Sequence, residues 1–146
     1  MLDLFKKEPK PEFEIPNVGV FHQMTNRGFI FWSKWIDVFS LGHEILLSIE
    51  TLNGALPSAE QISSIQALSE QYNPIIELAF SYLMRDEEYV AGAIETFKQL
   101  YFLEEITLDA NNLKWTYTFE PDINGRYGHF MTFIVEHGKV IDLYQD

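Results

Sequence analysis

Apolar and polar residues alternate along the first third of the chain, and a period of two is typical of β-strands. The alternation runs through residues 18–24, and after the turn residues 25–28 a strongly apolar stretch covers residues 29–36. It returns over residues 44–50, where Ile, Leu and Ile of one parity alternate with Glu, Ser and Glu of the other. This pattern predicts an antiparallel meander with one face in water.

The spacing changes to that of helices in the middle of the chain. Ser58 and Gln61 form a capping box, and the apolar residues that follow predict a helix over residues 59–72. A second helix, apolar almost all round, is predicted over residues 73–84, and a third with a weaker pattern over 86–101.

Period two comes back in the last third. Strands are predicted over residues 115–119, 129–136 and 139–144, with His137-Gly138 as a two-residue hairpin turn between the last two. Strands, helices and strands in separate blocks predict an α+β fold, in which an antiparallel sheet, open or strongly curled, carries the central helical segment on one face.

The same pattern sets the domain organisation. Residues 1–12, with three lysines and two prolines, are predicted to be a flexible lead-in, and residues 13–146 a single α+β domain.

Composition excludes several functions. The 146 residues carry a formal net charge of -12, so binding to a nucleic-acid backbone is not expected. Cysteine is absent, which rules out disulfides and thiol chemistry. Neither a signal-peptide core nor a membrane-length apolar run occurs in the sequence, and the cytoplasm is the expected location.

The stretch FEPDINGRYGH, residues 119–129, has the composition of a polar site. A calcium loop starting at Asp122 would need an oxygen ligand at position five, Gly at six and Glu at twelve, where the chain has Arg126, Tyr127 and Phe133. The stretch is therefore predicted to be a strand connection, with Arg126 and Tyr127 as candidate contacts for a partner.

Signals for catalysis or metal binding are weak. The four histidines are scattered among different strands and turns, and no nucleophile, phosphate-loop or dinucleotide motif occurs. The adjacent carboxylates Glu87-Glu88 and Glu104-Glu105 fit a helix start and a sheet edge. No metal and no cofactor is predicted, although an active site assembled from scattered residues remains an alternative.

Two tryptophans lie three positions apart in one predicted strand, so they should point to opposite faces of the sheet. Burial of both Trp32 and Trp35 in a central strand is the favoured interpretation, because both parities of residues 29–36 are largely apolar. The other interpretation makes an exposed tryptophan a partner contact, and Trp32 is the candidate.

Negative charge is concentrated in the middle of the chain. From Asp37 to Glu95 there are ten acidic residues and one basic residue, Arg85. On the outer faces of helices they would form an acidic surface that attracts a basic partner. The candidate partner-binding carboxylates are Glu60, Glu70, Asp86, Glu87 and Glu88.

The early aromatic hairpin, the helical middle and the closing run WTYTFEPD...GHFMTFIVEHGKVIDL resemble a group of small acidic bacterial α+β domains of unknown function, some of which are immunity proteins beside polymorphic or contact-dependent toxins. The resemblance covers most of the chain and rests on pattern. It implies a non-catalytic protein that binds and blocks a basic toxin domain. A housekeeping domain that binds a small ligand or assembles with itself is the alternative, and a cryptic hydrolase or metal enzyme is the second.

Overall fold

One eight-stranded sheet dominates the part of the chain that the structure, a computed structural model, describes: residues 10–37, 42–70, 72–83, 101–111, 113–121 and 130–145. The strands are β1 Glu12–Ile15, β2 Gly19–Asn26, β3 Phe29–Ile36, β4 Ile45–Glu50, β5 Tyr101–Leu108, β6 Trp115–Pro121, β7 Met131–Glu136 and β8 Lys139–Gln145. They lie in the order in which they occur along the chain.

Every neighbouring pair is antiparallel except β4 and β5, which run parallel. Parallel neighbours need a long crossover to carry the chain back to the same end of the sheet. The described part of this crossover contains two helices, α1 Ala59–Gln66 and α2 Tyr72–Leu83, separated by a short 3-10 turn at Leu68–Glu70. The helices therefore lie in the connection between β4 and β5, which has to carry the chain back to the same end of the sheet.

The predicted α+β class is wrong. Strands make up about half of the residues that the structure describes, the sheet is open and mixed, and the same residues contain only two short α-helices. Alternation reveals a strand but not its direction, and the parallel pair was therefore not foreseen. Tyr101, assigned to the third helix, is the first residue of β5. The rest of that predicted helix lies outside the described residues.

The first residues of the sheet also differ from expectation. β1 begins at Glu12, within the predicted lead-in. The Pro11 carbonyl already accepts a hydrogen bond from the Gln23 amide at 2.8 Å. Backbone hydrogen bonding to β2 thus already includes Pro11, at the end of the predicted lead-in.

Alternate side chains of the strands point toward the helices, pack against them and form the core. We call this side of the sheet the inner face. Its fully buried side chains from the strands include Ile15, Phe21, Ile45, Leu47, Ile49, Leu103, Ile106, Leu108, Tyr117, Phe119 and Phe133. The helical layer contributes Ile65, Leu68, Ile75, Ile76, Ala79 and Phe80 to the same cluster. Removing this apolar surface from water is the main favourable term in the stability of the fold.

Several local predictions are confirmed. His137-Gly138 forms the predicted two-residue turn, whereas the turn predicted over residues 25–28 is shorter than expected and consists of Arg27-Gly28, because β2 continues to Asn26. All four turn residues have positive φ, which matches the right-handed twist of the flanking strands. The capping box also forms: the Gln61 amide donates to Ser58 Oγ at 3.1 Å, and the Ser58 amide donates to Gln61 Oε1 at 3.0 Å.

Gln61 does more than cap its helix. Its side-chain Nε2 donates to the carbonyl of Glu50, at the end of β4, at 3.0 Å, and to that of Asp109, just after β5, at 2.9 Å. The Gln61 side chain is buried. One amide group thus fastens the start of α1 to the ends of the two parallel strands.

Replacing Gln61 by Ala should lower the free energy of unfolding by about 2–3 kcal/mol, because the cap is broken and two carbonyls lose a donor. Gln66→Ala in the same helix is the matched control. Gln66 is exposed, and its side chain donates to one carbonyl of the described residues, that of Pro16, at 3.1 Å, so its loss should cost less than about 1 kcal/mol. Urea unfolding measures both changes, and equal losses would contradict the role of Gln61.

A buried hydroxyl adds a second stability test. The Tyr117 side chain is fully buried, its OH has no hydrogen-bond partner among the described residues, and burial raises its pKa. Tyr117→Phe should therefore raise the free energy of unfolding by about 1 kcal/mol. Tyr144→Phe, whose exposed OH bonds to Asp142, should bring no gain. Thermal unfolding measures both, and a loss on Tyr117→Phe would mean that the hydroxyl is hydrogen-bonded.

Candidate functional site

The other side of the sheet, which we call the outer face, is the candidate site. A continuous row of mostly short polar side chains crosses it. Successive partners in this row are His22, Ser33, Ser48, Thr107, Thr116, Ile134 and Asp142. Short side chains in the middle of a sheet leave room above them, and larger residues two positions away form walls. Two clefts lie on this face over β2 to β5.

The two tryptophans of β3 point to opposite faces, as the odd spacing predicts. Trp32 is 3% exposed on the inner face, where its Nε1 donates to the Ala55 carbonyl at 2.9 Å and its ring meets Phe13 edge-on. Trp35 is 56% exposed on the outer face. Burial of both was wrong, and the exposed tryptophan is Trp35 instead of Trp32.

An aromatic cleft of about 690 Å³ occupies the outer face around Trp35. Its lining residues are Lys10, Val20, His22, Met24, Phe31, Ser33, Lys34, Trp35, Glu44 and Leu46. Lys10 Nζ lies 3.7 Å from Met24 Sδ, and His22 Nδ1 lies 3.6 Å from a Glu12 carboxylate oxygen. The lining of the cleft thus combines aromatic and aliphatic side chains with charged groups of both signs.

A second, smaller cleft of about 240 Å³ lies beside the first, and Phe31 lines both. We call it the acidic cleft. Its lining residues are Asn26, Phe29, Phe31, Ser48, Glu50, Glu105 and Thr107. Two carboxylates and two hydroxyls make it rich in hydrogen-bond acceptors.

A β-bulge brings extra negative charge to this region. The register of β5 against β6 shifts between Leu103 and Glu105, and an extra residue in one strand re-aims the side chains beside it. Partial burial and the negative charges of Glu120 and Glu105 raise the pKa of Glu104, and burial raises that of Glu105. The three carboxylates therefore form a cluster in which ionisation is unfavourable.

Glu50 is perturbed in the same direction. Burial and the nearby charge of Asp109 raise the pKa of its carboxyl. The carboxylates of the acidic cleft thus lose solvation without receiving a compensating cation from the described residues, and a cation supplied from outside would favour their charged form.

The carboxylates that the sequence favoured lie elsewhere. Glu60 is in the first turn of α1 and Glu70 in the turn after it, both exposed on the helical side of the sheet. Asp86, Glu87, Glu88, Arg126 and Tyr127 lie outside the described residues, as does residue range 122–129 of the predicted strand connection.

The residues of the acidic cleft were missed by sequence reasoning. Glu104-Glu105 was placed at a sheet edge, which is wrong, because β5 pairs with β4 on one side and β6 on the other. The available signal was the alternation in β4, where the polar residues Ser48 and Glu50 alternate with the apolar residues Leu47 and Ile49. Which strands lie side by side could not be read from that alternation.

Metal coordination receives no support in the described ranges, where no group of three or more His, Asp or Glu side chains is placed to hold an ion. His43 instead fixes local structure, with Nε2 lying 2.9 Å from the Leu103 carbonyl and its ring edge-on to Phe102. His137, in the last turn, lies 3.6 Å from Glu136.

No family model, no curated protein and no solved structure matches the chain. The resemblance to small acidic bacterial domains accordingly stays a prediction. Among the helices that are described, none has the length and apolar character needed to cross a membrane.

The carboxylate cluster predicts a pH dependence. A carboxyl whose pKa is raised by folding binds more protons in the folded chain, so stability falls as the pH rises through that range. Glu104→Gln should therefore raise the free energy of unfolding at pH 7 by about 0.5 kcal/mol, a small effect because solvent screens partly exposed charges. The gain should fade in acid, where Glu104 of the unmodified chain is protonated.

Urea unfolding at neutral and acidic pH measures this difference. Glu70→Gln, on the exposed helical side, is the control and should give a smaller gain at pH 7. A gain from Glu104→Gln that is the same at both pH values would contradict the electrostatic origin.

Proposed function

We propose that this protein is a non-catalytic protein-binding module, and that it holds a basic protein partner on the outer face of its sheet. An immunity-type inhibitor, which neutralises a toxin domain by binding it, is the specific form of this function that we favour. The observation that carries the proposal is an exposed aromatic surface, Trp35 and Phe29 with the two clefts between them, beside a cluster of carboxylates.

Exposed aromatic side chains on a sheet support the first half of the proposal. Phe29 is 76% exposed, and keeping so much apolar surface in water is unfavourable unless a partner covers it. Tryptophan and other large aromatic residues supply much of the binding energy in protein interfaces. A surface made by β-strands is also rigid, so little ordering entropy is lost on binding.

Negative charge on the outer face supports the second half of the proposal, that the partner is basic. The chain has 22 acidic and 10 basic residues, and the outer face carries Glu50, Glu104, Glu105 and Glu120, three of them with raised pKa values. A basic partner would reverse those shifts and be steered to this face over a distance. The same charge disfavours nucleic acid as a partner. No cofactor is part of the proposal, and the cytoplasm is the proposed location.

Co-expression with the product of the neighbouring gene tests the function directly. If the neighbour encodes a toxic domain, this chain should restore growth and co-purify with it. A neighbour that is harmless alone and never co-purifies would remove the immunity interpretation.

Trp35→Ala should weaken that complex by about 2 kcal/mol, or roughly 30-fold in affinity, while changing the stability of the free chain little. Tyr144→Ala is the matched control, because Tyr144 is similarly exposed but lies on the far edge strand β8. Trp32→Ala is unsuitable, since loss of a buried indole costs about 3–5 kcal/mol of stability. Calorimetric titration measures the affinities, and equal effects of the two exposed variants would exclude the cleft region as the interface.

A further inference from the structure

We infer that the acidic cleft is a receptor for one cationic side chain, an arginine guanidinium or a lysine ammonium, presented by the basic protein partner. This inference rests on the proposed function and assigns the partner group that the cleft takes. The cleft holds about 240 Å³, which is smaller than the usual site for a whole small molecule and suited to the end of one side chain.

Ser48 is the first indication of a ligand. It lines the cleft, is 3% exposed, and its Oγ has no hydrogen-bond partner among the residues that the structure describes. Buried hydroxyls are nearly always hydrogen-bonded, because an unpaired one costs about 1–3 kcal/mol. A donor that enters the cleft would supply the missing bond.

The arrangement of the walls selects a cation. Ser48 pairs with Thr107 across the parallel strands, Glu50 is two residues after Ser48 on β4, and Glu105 is two residues before Thr107 on β5. The carboxylates therefore flank the two hydroxyls from opposite ends of the cleft. A carboxylate accepts hydrogen bonds and donates none, so a group with several N–H donors fits this frame.

The aromatic wall favours the same chemistry. Phe29 and Phe31 line the cleft on the side of β3, and Phe31 is the direct neighbour of Glu50 across the strands. A guanidinium or ammonium that bonds to the carboxylate there can also lie against an aromatic ring, an arrangement that stabilises cations. The neighbouring aromatic cleft sets Lys10 and Lys34 against Glu44, so it holds a cation less favourably than the acidic cleft, whose lining has Glu50 and Glu105 and no basic residue.

The test uses the full chain and a defined probe, the peptide acetyl-Gly-Arg-Gly-amide, followed by NMR of the backbone amides. The peptide should shift the amides of Ser48, Glu50, Glu105 and Thr107, with a dissociation constant on the order of 1 mM, as expected for one side chain. The same peptide with citrulline in place of arginine keeps the shape and loses the charge. It should bind at least about tenfold more weakly, and equal binding would overturn the inference.

Two pairs of variants locate the site. The double variant Glu50→Gln/Glu105→Gln keeps the size of both side chains and should abolish the amide shifts that the arginine peptide causes. The double variant Glu60→Gln/Glu70→Gln removes the same number of charges on the helical side and should leave the amide shifts unchanged. If both double variants lose binding, the peptide responds only to the net charge of the chain, and the inference is overturned. The amide spectrum of each free variant shows whether it is folded.

Ser48→Ala and pH give two further readouts. The smaller side chain should weaken binding of the arginine peptide several-fold, because one hydrogen bond is lost. Binding should also weaken as the pH falls through the raised pKa values of Glu50 and Glu105, where protonation removes their charges. Affinity that is independent of pH in that range would contradict a role for the carboxylates.

The complex with the neighbouring gene product separates this inference from the proposed function. If the complex forms and the Glu50→Gln/Glu105→Gln pair weakens it at least tenfold, both are supported. If it forms equally well with that pair, the cleft assignment is overturned and the protein-binding function stands. If the arginine peptide binds but no complex forms, the proposed function is overturned. The claim that a protein partner supplies the cation is then overturned with it.

Discussion

The parallel pairing of β4 and β5 is the constraint on which the rest of the structure depends. All other neighbours are joined by short antiparallel connections, but this pair requires the chain to cross from one end of the sheet to the other. The crossover carries α1 and α2 over one face, so that face becomes the core. Gln61 fastens the crossover at its first turn by bonding to the ends of both parallel strands.

The chemistry of the outer face follows from the same pairing. Placing β4 beside β5 brings Ser48 and Thr107 together and puts Glu50 and Glu105 at the two ends of one cleft. The bulge in β5 then adds Glu104 to the charged region. Negative charge gathered where solvent is partly excluded is unfavourable for the free chain. Such residues are typical of surfaces that are completed by a ligand or a partner.

Local features were largely predictable from the sequence, because each depends on residues close together in the chain. The glycine turns require positive φ, the Ser58 cap requires Gln61 three residues later, and alternation marks strands such as β6 and β7. The fold class and the site were not predictable. Alternating apolar and polar residues occur in both parallel and antiparallel strands, so the pattern does not give the strand direction. Glu104-Glu105 is likewise compatible with an edge strand or a central strand of the sheet.

The sequence by itself determined most of the strands, two hairpin turns, the helix cap and the acidic character of the chain, since these follow from backbone preferences, side-chain parity and composition. It also determined that Trp32 and Trp35 point in opposite directions. Only the tertiary structure decided which of the two is buried, because the answer depends on the face that the crossover helices cover. The same holds for the acidic cleft: Ser48 and Thr107 lie more than fifty positions apart in the chain, and only the pairing of β4 with β5 makes them neighbours.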